Sequence, residues 1–316
     1  MMQTMRFVAL FALTMTALAA DPKVIVPVNG VPPVGPYSPG LDAGAYIYVS
    51  GQGVRDSKSQ MPEGIEAQAK QCIENVRVIL DAAGLKLDSV VQVQLYLADL
   101  KNLPVVEKLY AEAFPKSAAR VTLGVARMPT DTTVEITVVA KRDAGPGDRV
   151  FLPAVYGKSA KEAEAKLGVE LKKAGLRAKN LLYANRYVVG GTGLGQVPMM
   201  ALPDGATHAV LGIAAKSAPA GMAFCEVVAS DAKGTVEEQT TSAFGKLKAC
   251  LEAKGFGLAN IVATNVYIDD INDFAKMNAV YATFFPVQKP TRTTVQPLPP
   301  AVPKGSLVRL SAVATH

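Results

Sequence analysis

Residues 115–142 read PKSAARVTLGVARMPTDTTVEITVVAKR, and two charged side chains interrupt stretches that otherwise favour burial. Arg120 opens one strand-like run and Glu135 sits in the middle of another. A guanidinium can hold a carboxylate through two parallel charge-assisted hydrogen bonds. A partly desolvated glutamate can move protons as a general acid or base. Together they would bind a small organic acid and transfer a proton beside it. The structural alternative is that Arg120 snorkels to solvent or joins a salt bridge, and that the two residues, on adjacent strands, pair with each other. Other chemistry is poorly supplied. Only two histidines occur, His208 and His316, too few for a histidine metal site or a Ser-His-Asp triad. Cys72, Cys225 and Cys250 show neither CxxC nor metal spacing and read as buried small hydrophobes, their odd number leaving at least one thiol free or bridging molecules. No metal and no organic cofactor is implied.

The elements that position these residues recur along the chain. Of 316 residues, 49% are apolar and 19% charged, a globular composition with room for one large core or two to three small ones. Segments 71–100 and 242–271 each read as an amphipathic helix, a glycine stop and an alternating strand, and 162–189 repeats the pattern. Their helix-ending triplets, Ala83-Gly84-Leu85, Ala174-Gly175-Leu176 and Lys254-Gly255-Phe256, lie 91 and then 80 residues apart. The first and third copies continue into a second helix, whereas the middle copy has the glycine-rich GGTGLGQVPMM at 190–200. Those glycines do not fit GxGxxG and no helix start follows, so a turn is expected there rather than a phosphate cradle. HAVLGIA in copy two aligns with RVTLGVA in copy one, while MAFCEVVAS either closes copy two or opens copy three. The expected organisation is a secretory signal peptide over 1–20, cleaved after Ala19 or Ala20. It is followed by repeats at 24–145, 148–230 and 231–316, the last with its first strands reduced. An open apolar sheet face is unstable in water. Three α+β units of βαβαββ type are therefore expected to pack sheet against sheet in one chain.

Several separate motifs stand in order in copy one: VGPYSPG with Tyr37, YIYVSGQ with Ser50 and Gly51, the helix QAKQCIENVRVIL, and AARVTLGVARMP followed by VEITVVA. Copy three carries DFAKMNAVYATFF and KPTRTTVQPLP. In this order the motifs resemble a family, RidA, also called YjgF or L-PSP, the reactive imine and enamine deaminases. The resemblance implies a RidA-like (chorismate-mutase-like) fold. Family members are homotrimers with sites between subunits, so a monomeric single-chain pseudo-trimer is implied here. It further implies Arg120 as the substrate-carboxylate arginine and Glu135 as the water-activating glutamate, with Tyr37, Ser50, Gly51 and Thr122 lining the pocket.

The copies differ at these positions. By alignment His208 replaces the arginine in copy two and Phe224 falls near the glutamate; copy three keeps Arg292 but carries Arg309 for the glutamate. The family's asparagine falls on Glu107 in copy one and is kept as Asn278 in copy three, where it would complete a cleft with Arg120. One cleft is then equipped to hydrolyse small 2-imino or 2-enamino acids to 2-oxo acids and ammonia, and Arg292 is a further anion-binding residue. The second class of function is a non-enzymatic module binding small carboxylates in the cell envelope. A net charge of +6 with scattered basic residues offers no nucleic-acid stripe, and beyond the leader no apolar segment is long enough to span a membrane. The expected location is periplasmic or secreted.

Overall fold

A computed structural model describes residues 21–142, 149–190, 195–217, 221–231, 233–300 and 304–316. The expected leader, the first repeat boundary and part of the glycine-rich segment lie outside them. The first unit contains β1 (Lys23–Ile25), β2 (Gly40–Asp42), β3 (Tyr46–Gln52), α1 (Ile65–Ala82), β4 (Val90–Leu97), α2 (Leu103–Ala113), β5 (Ala119–Gly124) and β6 (Val134–Lys141). The second has β7 (Arg149–Phe151), β8 (Val155–Gly157), α3 (Ala160–Lys173), β9 (Leu181–Val189), β10 (Val197–Met199) and β11 (His208–Ala215). The third has β12 (Met222–Ala229), α4 (Val236–Glu252), β13 (Ile261–Ile268), α5 (Phe274–Phe284), β14 (Thr291–Val295) and β15 (Val308–Thr315). The result is an α+β fold of three sheets.

Local sequence accounts for the helices. In α1, Ala69, Cys72, Val76, Ile79 and Leu80 recur at helical spacing and are buried against the first sheet. At the start of α4, Thr235 Oγ1 accepts from the Glu238 N–H while the Glu238 carboxylate accepts from the Thr235 N–H, a reciprocal cap. The helix-stop glycines Gly84, Gly175 and Gly255 all have positive φ, so the repeated triplet marks one repeated turn.

The sheets share one topology. Their strand orders are β1-β2-β3-β6-β4-β5, β7-β11-β9-β10 with β8 also on β11, and β12-β15-β13-β14. In each, the post-helix strand is parallel to the next strand of its unit and antiparallel to the last. Register then fixes equivalent positions. Tyr96 lies opposite Glu135 and Leu123, Tyr187 opposite Ala209 and Val197, and Tyr267 opposite Arg309 and Val295.

Three sequence expectations change. β11, carrying HAVLGIAA, is the counterpart of β6 and not of the arginine strand β5. Ala209, not Phe224, therefore occupies the glutamate position in the second unit, and His208 does not replace the arginine. β12 pairs with β15 in the third sheet, so the third unit opens at Met222 and not at 231. Phe224 belongs to that strand and packs with Tyr183 and Ile213. The cysteines also divide: Cys225 and Cys250 form a disulfide joining β12 to α4, and Cys72 alone is a buried free thiol.

Each unit keeps a helix-on-sheet core on one face. The opposite faces meet in a shared core that includes Tyr96, Leu123, Tyr187, Val197, Tyr267 and Val295. Backbone hydrogen bonds also tie the first unit to each of the others, Gly124 N–H to Ala201 O at 2.9 Å and Gln296 N–H to Arg127 O at 2.9 Å.

Candidate active site

Glu135 and Arg120 do not share a cleft. β4 lies between β5 and β6, so the two residues are on non-adjacent strands. Arg120 instead donates from Nη2 to Glu107 Oε2 at 2.8 Å, and together with Thr122 both line a cavity against the second unit. The sequence alternative of a salt-bridged arginine is thus met, with Glu107 as its partner.

Glu135 faces the third unit, and the arginine it meets is Arg292 on β14. Both line a cavity of about 70 Å³ together with Tyr37, Gly51, Phe274 and Thr294. Glu135 is 6% exposed, and burial pushes its carboxyl up to about 8 despite the opposing pull of the Arg292 charge. Arg292 is 4% exposed, and desolvation lowers the pKa of its guanidinium. Its Nη1 and Nη2 atoms have no hydrogen-bond partner among the described residues. The rings of Tyr281, Tyr37 and Phe274 surround Cζ with centroids at 4.7, 5.0 and 5.3 Å. Such a cage holds the cation by its faces and leaves the in-plane N–H groups for a ligand.

Close backbone approach makes this arrangement possible. A Cβ on Gly51 would lie 2.0 Å from Glu135 Oε1. One on Gly35 would lie 2.6 Å from Arg292 Nη2 and 3.0 Å from Asn278 Nδ2. Asn278 therefore stands beside Arg292 and not beside Arg120, and its Oδ1 is buried without a partner among the described residues. Ser50 is fully buried; its Oγ donates to Ser38 O at 2.6 Å and accepts from the Arg292 N–H at 2.9 Å. It is a strut between β3 and β14 rather than part of the cavity lining. Tyr37 does line the cavity; its hydroxyl accepts from Val34 N–H at 3.2 Å, and burial raises its pKa.

Sequence reasoning missed Gly35, Phe274 and Thr294. Thr294 had a usable signal, since it follows Arg292 by the same two positions as Thr122 follows Arg120. Its Oγ1 is buried and has no partner among the described residues, and Thr294 lines the cavity. The chemistry assembled here is an anion clamp with free donors beside a carboxyl poised to exchange a proton near neutral pH.

Comparison with known proteins finds two matching segments in the chain. The family model described as Endoribonuclease L-PSP matches residues 29–142 and 226–316. The first segment contains Tyr37, Gly51 and Glu135, and the second Asn278, Arg292 and Thr294. A RutC family protein of Saccharolobus solfataricus is 43% identical over 113 residues, 35% of this chain and 90% of that protein. A 2-iminobutanoate/2-iminopropanoate deaminase of Salmonella typhimurium is 36% identical over 125 residues, 38% of this chain and 98% of that protein. Among solved structures, the YjgF gene product of E. coli is 35% identical, covers 38% of this chain and 98% of its own, and has a TM-score of 0.36.

Proposed function

The chain belongs to the endoribonuclease L-PSP (RidA) family, which includes relatives named as deaminases, and on that premise we propose that it hydrolyses small 2-imino acids at the Glu135–Arg292 cleft. The observation that carries this reading is the convergence, in one cavity, of a buried carboxyl with a pKa of about 8 and a buried guanidinium whose terminal nitrogens are unpartnered.

The substrate carboxylate takes the Nη1 and Nη2 donors of Arg292, which fixes the imine carbon relative to Glu135. In its ionised form Glu135 accepts a proton as water adds to the iminium carbon, giving a neutral carbinolamine. The resulting carboxylic acid then protonates the amino group. Collapse of the carbinolamine breaks the C–N bond, releases ammonia, forms the 2-oxo acid and returns the hydroxyl proton to Glu135. A carboxylate with a pKa near 8 is a stronger base than an exposed glutamate and a competent acid at the same pH.

The same reading makes the chain a monomeric, exported pseudo-trimer, its three units in the place of three subunits. The Cys225–Cys250 disulfide supports export, because such bonds persist in oxidising compartments. The test generates 2-iminopropanoate in situ with an amino-acid oxidase and follows its loss. Acceleration by the wild type with a pH profile rising toward about 8, and its loss in Glu135→Gln, supports hydrolysis. Carboxylate binding without acceleration would replace it with the binding-module reading.

A further inference from the structure

The fold gathers basic residues that are spread out in the sequence. Residues 21–142 carry thirteen lysines and arginines against thirteen aspartates and glutamates, and residues 222–316 carry nine against eight. Residues 149–217 carry ten against four, so the basic excess of the described chain sits almost entirely in the second unit. The three acids of α3 are already taken, Glu162 by Lys166, Glu164 by Arg186 and Glu170 by Lys173. The remaining charge collects at the C-terminal end of α3. Lys172 and Lys173 occupy its last turn, Arg177 and Lys179 stand on the turn that follows, and Lys216 directly follows β11. Asn180 locks these segments together. Its Nδ2 donates to Ala215 O at 2.9 Å and to Lys216 O at 3.1 Å, and its Oδ1 accepts from the Arg177 N–H at 3.0 Å. All five basic residues are exposed, and among the described residues only Lys173 of the five has an ion-pair partner.

The other two units show that the fold does not require this charge. At the equivalent positions the first unit has Asp81, Ala82, Lys86, Asp88 and Arg142, and the third has Glu252, Ala253, Gly257, Ala259 and His316. Complementarity to the helix dipole accounts for Lys172 and Lys173 but not for the three residues beyond the helix. The outward helix faces differ in the same sense. α1 and α4 neutralise theirs with cross-turn pairs, Arg77 with Glu74 and Asp81, and Lys248 with Glu252. α3 has Gly168 where those helices have Arg77 and Lys248, and next to it Val169, which is 51% exposed and lies one turn before Lys172 and Lys173. We propose that this end of the second unit is a docking surface for an anionic phospholipid bilayer, the five basic side chains meeting lipid phosphates and Val169 resting against the interface. Charge complementarity selects an anionic partner, and the side chains select a bilayer over a nucleic acid. The patch presents no aromatic ring on which bases could stack, whereas lysines around an exposed apolar side chain suit a surface that lies on a membrane.

Cosedimentation with phosphatidylglycerol vesicles and with phosphatidylcholine vesicles tests the proposal, using the chain from Asp21 onward so that the apolar leader does not itself bind lipid. The chain is expected to bind the anionic vesicles and not the zwitterionic ones, with binding falling at least about tenfold as salt rises from about 0.05 to about 0.5 M. Each basic side chain held at an anionic surface strengthens partitioning roughly fivefold. Lys172→Asp/Lys179→Asp, which copies the first unit's Asp81 and Asp88, should therefore weaken binding at least about tenfold, and an unchanged circular-dichroism melt shows that it folds. Lys58→Asp/Lys254→Asp makes the same change of net charge at exposed positions elsewhere and should stay within about threefold of wild type. No binding to phosphatidylglycerol vesicles, equal binding to phosphatidylcholine, or equal losses in the two double variants would overturn the proposal. So would tighter binding to a DNA duplex than to the vesicles at equal phosphate concentration. None of these residues lines the Glu135 cavity, so imine hydrolysis should be unchanged in Lys172→Asp/Lys179→Asp, and failure here is distinct from failure of the hydrolase reading.

Discussion

Glu135 and Arg292 are each held where their charged form is disfavoured, and the two face one cavity across the junction of the first and third units. For Glu135 the consequence is measurable without any substrate. Its pKa rises from 4.5 unfolded to about 8 folded, so between those values the folded chain holds a proton that the unfolded chain releases. This contribution is fully present below 4.5 and is lost as pH rises through about 8, with an upper bound of about 5 kcal/mol. Glu135→Gln does not ionise, so its melting temperature relative to wild type should rise between pH 5 and pH 9; a constant difference would contradict the assignment. Gly51→Ala tests the geometry of the same carboxyl. Its Cβ would fall 2.0 Å from Oε1, and displacing a reacting group by about 1 Å typically costs on the order of 100-fold in rate. The expected outcome is that loss in kcat with the fold retained by circular dichroism. At this scale the sequence revealed the kinds of residue needed but not their pairing. Arg120 and Glu135 are neighbours in sequence motif only, whereas the arginine that reaches Glu135 lies in another unit and meets it through tertiary packing.

Strand pairing explains both what was legible and what was not among the elements. Helices and their glycine stops follow from apolar spacing and a positive φ, both local properties. The resemblance of HAVLGIA to RVTLGVA misled because alternating small apolar strands look alike, and hydrogen-bond register alone shows β11 to be the counterpart of β6. Ser50 links β3 to β14 through its hydroxyl, a contact between units that no sequence pattern announces. Ser50→Ala leaves the buried Arg292 N–H without its acceptor, at a cost of about 1–3 kcal/mol. Urea denaturation should show that loss, and kcat/KM should fall with it as β14 loosens. The disulfide between β12 and α4 closes a loop with a sequence separation of 25. Chain-entropy reasoning assigns it about 3 kcal/mol. Cys225→Ala/Cys250→Ala should lower the urea midpoint accordingly, and an unchanged midpoint would contradict that contribution.

Across the whole molecule, three divergent units share one core in which Tyr96, Tyr187 and Tyr267 occupy equivalent positions. In a symmetric trimer each cleft would be identical. Fusing the units into one chain lets each cleft change alone, and the glutamate position has become Glu135, Ala209 and Arg309. A monomeric mass in native mass spectrometry or sedimentation is the expected outcome, since the units already cover one another's apolar faces; a stable homotrimer of the chain would contradict this. Imine hydrolysis at Glu135 is expected to depend on Arg292 and not on Arg120. The most direct test is kcat/KM for 2-iminopropanoate in two single variants. Arg292→Ala should lose about 100-fold or more, as expected when a charge-assisted clamp is removed, while Arg120→Ala should remain within about threefold of wild type. The reverse order, or equal losses in both variants, would contradict pairing of Glu135 with Arg292.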